Sequence, residues 1–341
     1  MVKNSTNHTL KYIALMTFLV ILLIIVFVVS INTGYMKIPL YEVWSAFFGH
    51  DVGNQRLTLF EFRLPRIILA MLIGAGIAVA GGILQGITRN QLADPGVIGI
   101  NAGASFAVVL YTFLTNSTTF LTGTLSVFVM PFTALAGAFV AAVLIYTISR
   151  KNGKVSPMRL ILVGIGINAA FASGTLVLQM KMDPQDFTKT LTWISGSIWA
   201  TNWDFVVSTL IWLIILVPLA IYKSRTLNVF SLGDTIAIGL GVPPEKERLK
   251  LLIIAVGLAG ACVSVGGGIT FLGLIAPHIA RSLIGLKHEK LLPLSALLGA
   301  CILLIADTIG RVVMAPMELP VGIVISILGA PYFIYLLMRT K

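Results

Sequence analysis

The sequence predicts an all-α polytopic membrane protein with ten transmembrane helices. Three observations predict it. Hydrophobic residues make up 57% of the 341 positions and charged residues only 11%, whereas a soluble domain carries about a quarter charged residues. The apolar residues gather into ten runs, each near the roughly 20 residues a helix needs to cross a bilayer. The charges lie between the runs and divide unequally between the two sides, as positive residues favour the cytoplasm. With short connections throughout, residues 1–341 read as a single transmembrane domain.

The spans are expected near 12–31, 66–88, 96–114, 125–148, 159–180, 205–222, 250–267, 269–286, 291–312 and 320–338. The first follows Lys3 and Lys11 as a signal sequence would. It is too long for an ordinary signal core, and Val28-Val29-Ser30-Ile31 lacks a small-x-small cleavage site, so an uncleaved span is expected. Pro65 suits the first turn of the second span. Arg89, Asn90, Asp94 and Pro95 mark a tight inner turn before the third, and Gly82/Gly86 and Gly99/Gly103 are spaced for close helix approach. The fifth span carries Asn168, Ala172, Thr175 and Gln179 on one helical face, with Ser173 beside it. Polar groups at such depth face protein or a water-filled path.

The seventh and eighth spans need the most support, because 250–286 is one long apolar run. Gly266, Gly267 and Gly268 interrupt it, and consecutive glycines are poor helix interior. Charge agrees. With the break and the N-terminus inside, the inner side holds 17 Lys+Arg and 5 Asp+Glu, the outer side 7 and 8. Without the break, Arg281, Lys287 and Lys290 would lie outside. Both termini are therefore expected in the cytoplasm. The net charge of +11 follows from this topology and from contact with anionic lipid, without nucleic acid.

No engine is visible. The Gly-Lys dipeptide at 153–154 is followed by Val155, so no phosphate-binding loop forms. His288-Glu289 begins like a zinc-protease helix, but position 292 is leucine. The four His and two Cys never cluster at ligand spacing, and Cys262 and Cys301 read as small hydrophobic packers. Gly233-Asp234 is only faintly like an intramembrane aspartyl protease, with Ser231 where a glycine is wanted. Ionisable groups inside the spans are scarce. Asp307 is the clearest, four residues before Arg311 and explicable as a helical ion pair. A self-powered ion carrier or an intramembrane enzyme is thus disfavoured, and no cofactor is expected.

Other constellations remain. Arg63 and Arg66 flank Leu64-Pro65 at the outer end of the second span, and Arg311 adjoins another outer end. They are snorkelling arginines or receivers of carboxylates from an extracellular partner. The inner segment 223–250 contains Ser231 and Asp234 at capping-box spacing and a short helix near Thr235 to Leu240, closed by Gly241 and two prolines. With Val229, Phe230 and Ile236 to show, that helix rests on lipid or fits a groove in a cytoplasmic partner. His278 after Pro277 reads as a structural residue at a kink.

Taken together, several strings resemble the FecCD family, the permease subunits of binding-protein-dependent ABC importers for ferric siderophores, haem and cobalamin. They are RLPR at 63–66, GGILQGITRNQLADPGVIGINAGAS at 81–105, RLILVGIGI at 159–167 and WISGSIW at 193–199. SLGDTIAIGLGV at 231–242, GGGITFLGLIAPHIARSLIG at 266–285 and ELPVGIVISILGAPYFIYLL at 318–337 complete the set. The family usually has proline at Gln91 and Gly-Pro-Ile-Gly-Phe at 267–271.

The resemblance runs from about residue 35 to the end. It implies a BtuC-like ten-helix fold with inverted-repeat halves, spans two to five against seven to ten. It implies a second permease subunit (the same chain or a paralogue), two ATP-binding subunits inside and an extracellular solute-binding lipoprotein. It implies docking of that protein on Arg63, Arg66 and Arg311. It assigns ATPase coupling to Ser231, Leu232, Gly233, Asp234, Thr235, Ile236, Gly239 and Leu240, and a translocation path to Asn168, Thr175 and Gln179. The expected function is import of an iron(III)–siderophore complex across a bacterial cell membrane by a non-catalytic subunit. Haem or cobalamin import and an ion-coupled secondary transporter are the alternatives.

Overall fold

The computed structural model describes residues 2–33, 54–115, 125–198 and 201–339; Trp199, at the end of the WISGSIW string, lies outside them. The described chain is helical apart from turns and one small hairpin. Lipid offers no partner to backbone N–H and C=O groups, so each apolar run satisfies its own as a helix.

Helix α1 (Val2–Asn32) covers the first run, and α2 (Asn54–Leu57) leads through a wide turn, Thr58–Arg63, into α3 (Leu64–Thr88). Pro65 has no N–H to give, and the preceding turn widens so that Leu64 N–H reaches back to Leu59. Then follow α4 (Pro95–Ile98), α5 (Ile100–Thr115), α6 (Leu125–Ser149), a hairpin of β1 (Arg150–Lys151) and β2 (Lys154–Val155), and α7 (Pro157–Gln179). Next are α8 (Pro184–Ile194), α9 (Trp203–Tyr222), α10 (Ser224–Ser231) and α11 (Asp234–Gly239). The last four are α12 (Pro244–Gly266), α13 (Leu272–Ile284), α14 (His288–Val313) and α15 (Val321–Arg339).

Each predicted run has a helix at its centre, although 267–271 and Gly99 are not helical. Among the described residues, eight stretches are long and apolar enough to cross a membrane, and two, α5 and α13, are shorter. At 1.5 Å per residue they reach only about 24 and 20 Å, against a hydrocarbon core of about 30 Å. The third run is itself broken: α4 ends at Gly99, whose φ of 101° is a backbone conformation that glycine adopts without strain.

Helices α3 and α12 form the centre. In each, 78% of the apolar stretch is buried, against 11% in α1 and 17% in α7. Lipid gives apolar helices no reason to leave it for one another, so they associate through close packing. A side chain at Gly81 would run into the Gly273 carbonyl, and one at Gly74 into that of Gly299. The expected pair Gly82 and Gly86 serves differently, receiving Leu292 and Leu227 side chains.

The same contacts fix depth. On the topology that the charges predict, helix α3 runs from the outer side at Arg66 to the inner side at Thr88. Gly266, ending α12, packs on Ile73, near the outer third of α3. Gly273, starting α13, packs on Gly81, and its carbonyl accepts from Gln85 Nε2 (3.4 Å). Residues 267–271 therefore run along α3 without helix, a break where the three glycines led one to expect it, and α13 begins beside Gly81. Helix α5 starts beside it, with Asn101 Nδ2 donating to the Ile269 carbonyl (3.0 Å). The two half-length helices meet at their starts. Phe271 is held there at φ 65°, a costly conformation for a bulky residue that marks strain at this junction.

Candidate functional site

Between the two helix breaks lies a cavity of about 350 Å³ bordered by Asn101, Ser105, Asn168, Thr175, Gln179 and Thr270. The stripe predicted on the fifth span lines it together with the breaks at 96–101 and 268–270. The lining contains no ionisable residue. Asn101 Oδ1, Thr175 Oγ1 and Gln179 Nε2 are buried without a hydrogen-bond partner among the described residues. An unmatched buried amide or hydroxyl costs about 1–3 kcal/mol, so three of them around one space describe a wall built to meet something polar. Asn101, Ser105 and Thr270 were missed from sequence. The available signal was the pair of interrupted apolar runs, which in transporters built from repeats point to the solute site.

At the outer end the three arginines converge. Arg66 Nε and Nη2 reach Asp307 (2.9 and 2.8 Å), and Arg66 Nη1 reaches Glu318 (2.6 Å). Arg311 lies 3.1 Å from the other Asp307 oxygen and donates to the Ser30 and Thr33 carbonyls. Arg63 donates to the Ile31 carbonyl. The last carbonyls of a helix carry partial negative charge, so Arg63 and Arg311 tie the end of α1 to α3 and α14. Asp307 does pair with Arg311 one turn away, but no local spacing points to its second partner, Arg66. Arg63 and Arg311 are buried, while Arg66 and Glu318 border an outward-opening pocket of about 300 Å³.

At the inner end α10 and α11 form an elbow. Asn228 fastens α10 to the start of α14 by holding Glu289 (2.7 Å) and the His288 N–H (2.9 Å). The short helix near Thr235 to Leu240 is present as Asp234–Gly239, and Gly241 turns the chain at φ 78°. Two local expectations are corrected. The capping box does not form: Ser231 Oγ donates back to the Asn228 carbonyl (2.6 Å), and Gly233 precedes α11 without a side-chain cap. Phe230 does not show to the outside; it is fully buried under the Arg248 guanidinium. Ile236 is exposed as expected, joined by Leu232, Ile238 and Leu240, all between 50% and 64% accessible. Asp234 is held by Arg89, from the inner turn, and by Arg248, in the first turns of α12.

The chain was compared with known proteins. Residues 22–339 match the model of the FecCD transport family. The chain is similar to the iron(3+)-hydroxamate import system permease protein FhuG of Bacillus subtilis (52% identical, over 99% of this chain and 100% of that one). It is also similar to the iron-uptake system permease protein FeuC of the same organism (41%, over 94% and 96%). Among solved structures, a metal-chelate type ABC transporter in an inward-facing conformation superposes with a TM-score of 0.81 at 28% identity, covering 95% of this chain and 98% of that one. An unpowered helical scaffold with a polar cavity at the meeting point of two half-helices is accounted for by these relatives: the chain belongs to the FecCD transport family.

Proposed function

We propose that this chain imports an iron(III)–siderophore complex of the hydroxamate class as the membrane subunit of a bacterial ABC importer. The cavity between the half-helices carries the reading. Asn101 Oδ1, Thr175 Oγ1 and Gln179 Nε2 in its wall lack partners among the described residues, and its lining is uncharged. Three singly charged hydroxamates balance iron(III), so such a chelate presents a neutral, oxygen-rich surface to those groups. A triply anionic catecholate would have no cation to meet there. The similarity to a hydroxamate permease supports the same class.

ATP hydrolysis resides on partner subunits. Their seat is the elbow at 231–240, whose exposed leucines and isoleucines suit a groove in another protein. A solute-binding lipoprotein docks outside on the arginine cluster, with Arg66 at the surface and Arg63 and Arg311 holding the cluster from behind. Helix α7 is mostly exposed yet carries the polar stripe, and a second permease subunit would close that side of the path. Ten spans, with both termini in the cytoplasm, follow from the charge distribution. ATP binding favours one of two arrangements of the pair, and the cavity opens outward in one and inward in the other.

The test is uptake of a radiolabelled ferric trihydroxamate by proteoliposomes holding both permeases, the ATPase and the binding protein. Accumulation with ATP is expected, with ferric catecholate transported poorly. Equal handling of both chelates would refute the hydroxamate assignment. Thr175→Val supplies a finer check. It replaces a partnerless hydroxyl by a methyl of the same shape, so stability stays within about 1 kcal/mol while uptake falls.

A further inference from the structure

We infer that Arg248, seconded by Arg89, is the joint through which the inner elbow moves the helices that line the cavity. The inference rests on reading 231–240 as the ATPase seat.

Arg248 lies in the first turns of α12 with a side chain only 1% exposed. Its Nη2 donates to both oxygens of Asp234 (3.0 and 3.1 Å). Its Nη1 donates to the Val155 carbonyl (2.9 Å) and to Glu245 (3.3 Å), and Glu245 in turn accepts the Val155 N–H (3.0 Å). Val155 ends the hairpin, two residues before α7, so both of its backbone groups are held by this cluster. Helix α7 is the one carrying Asn168, Thr175 and Gln179.

Arg89 supplies the second arm. It stands at the end of α3 with φ 52°, donates from Nε to the Phe230 carbonyl (2.7 Å) and pairs with the same Asp234 carboxylate. The turn that follows it runs into α4 and α5, which bring Asn101 and Ser105 to the cavity. Asp234, at the head of the elbow's short helix, is thus gripped by two guanidinium groups. One arm ends on the segment entering α7, the other on the segment entering α5.

Charge makes the grip stiff. Two arginines face two carboxylates, and a guanidinium removed from water loses heavily if its partners leave. The elbow therefore carries Val155 and the 89–94 turn with it when it shifts. These residues touch neither chelate nor nucleotide; they are positioning residues. A physical connection shows only where coupling can run, and energetic coupling has to be measured.

The experiment uses the complete importer in proteoliposomes with a radiolabelled ferric trihydroxamate, reading uptake per ATP hydrolysed. Arg248→Gln is expected to co-purify with the ATPase and to hydrolyse ATP, with uptake per ATP reduced at least tenfold, and Arg248→Lys to recover part of it. Asp234→Asn with Arg248→Gln is expected to be no worse than Arg248→Gln alone. Arg89→Gln, in a more exposed place, is expected to give the same signature at smaller size and decides the matter if Arg248→Gln does not accumulate. Unchanged uptake per ATP in these variants, or an additive double variant, would overturn the joint. Ile236→Glu tests the seat separately: if it leaves ATPase co-purification intact, the coupling reading fails.

Discussion

The two ends of this membrane protein solve the same electrostatic problem in opposite ways. Outside, the carboxylate is the buried partner: Asp307 has no side-chain exposure and is clasped by Arg66 and Arg311, with Arg66 13% exposed. Inside, the guanidinium is buried: Arg248 is 1% exposed while its partner Asp234 is 40% exposed. The outer end thus buries the Asp307 carboxylate and leaves Arg66 beside the surface, paired there with the more exposed Glu318. The inner end keeps its positive charge and presents leucine and isoleucine. Charge suits a partner that arrives from solution and departs, since rim charges chiefly steer encounter. Apolar contact suits a partner that stays.

The sharpest way to break this contrast is to neutralise the two carboxylates. Asp307→Asn leaves the buried Arg311 without a carboxylate and Arg66 with Glu318 alone, and a loss of about 3–5 kcal/mol is expected, read as thermal unfolding in detergent. Asp234→Asn removes a well-exposed carboxylate and leaves Arg248 with Glu245 and the Val155 carbonyl, so it is expected to cost about 1 kcal/mol. Equal losses would erase the asymmetry.

Docking comes next in size. Arg66→Gln is expected to weaken binding of the loaded solute-binding protein about tenfold or more, or ~1.4 kcal/mol, with insertion unaffected. Unchanged affinity in a titration against the reconstituted importer would remove Arg66 from the docking surface. Smallest is Glu318→Gln. Glu318 occupies an arm of Arg66 that an incoming carboxylate would use, so its removal is expected to tighten docking by less than about 1 kcal/mol. Weaker docking would mean that Glu318 orients Arg66 instead of competing for it.

Much of the fold was legible because lipid imposes it. A run of about 20 apolar residues has one stable conformation in a bilayer, and three consecutive glycines mark a break at any depth. What stayed hidden depends on distant partners. Asp307 meets Arg66 across 241 positions and Asp234 meets Arg89 across 145, and no local spacing announces such pairs. Phe230 was misread because eight residues of α10 are too few for a helical period to say which face turns inward. Helix α8, by contrast, was there to be found: Asp183-Pro184 followed by Asp186 is a helix start in plain view. The path was half legible. The stripe on α7 reads directly from residue type and period, whereas Asn101 and Thr270 join it only because two broken helices begin at the same depth.

The most direct test of the whole account is accumulation of a ferric trihydroxamate in liposomes containing the permease with and without its ATPase. Uptake against a gradient is expected only when the ATPase and ATP are present. Uphill accumulation by the permease by itself would contradict the claim that this chain is a gate driven from outside its own sequence.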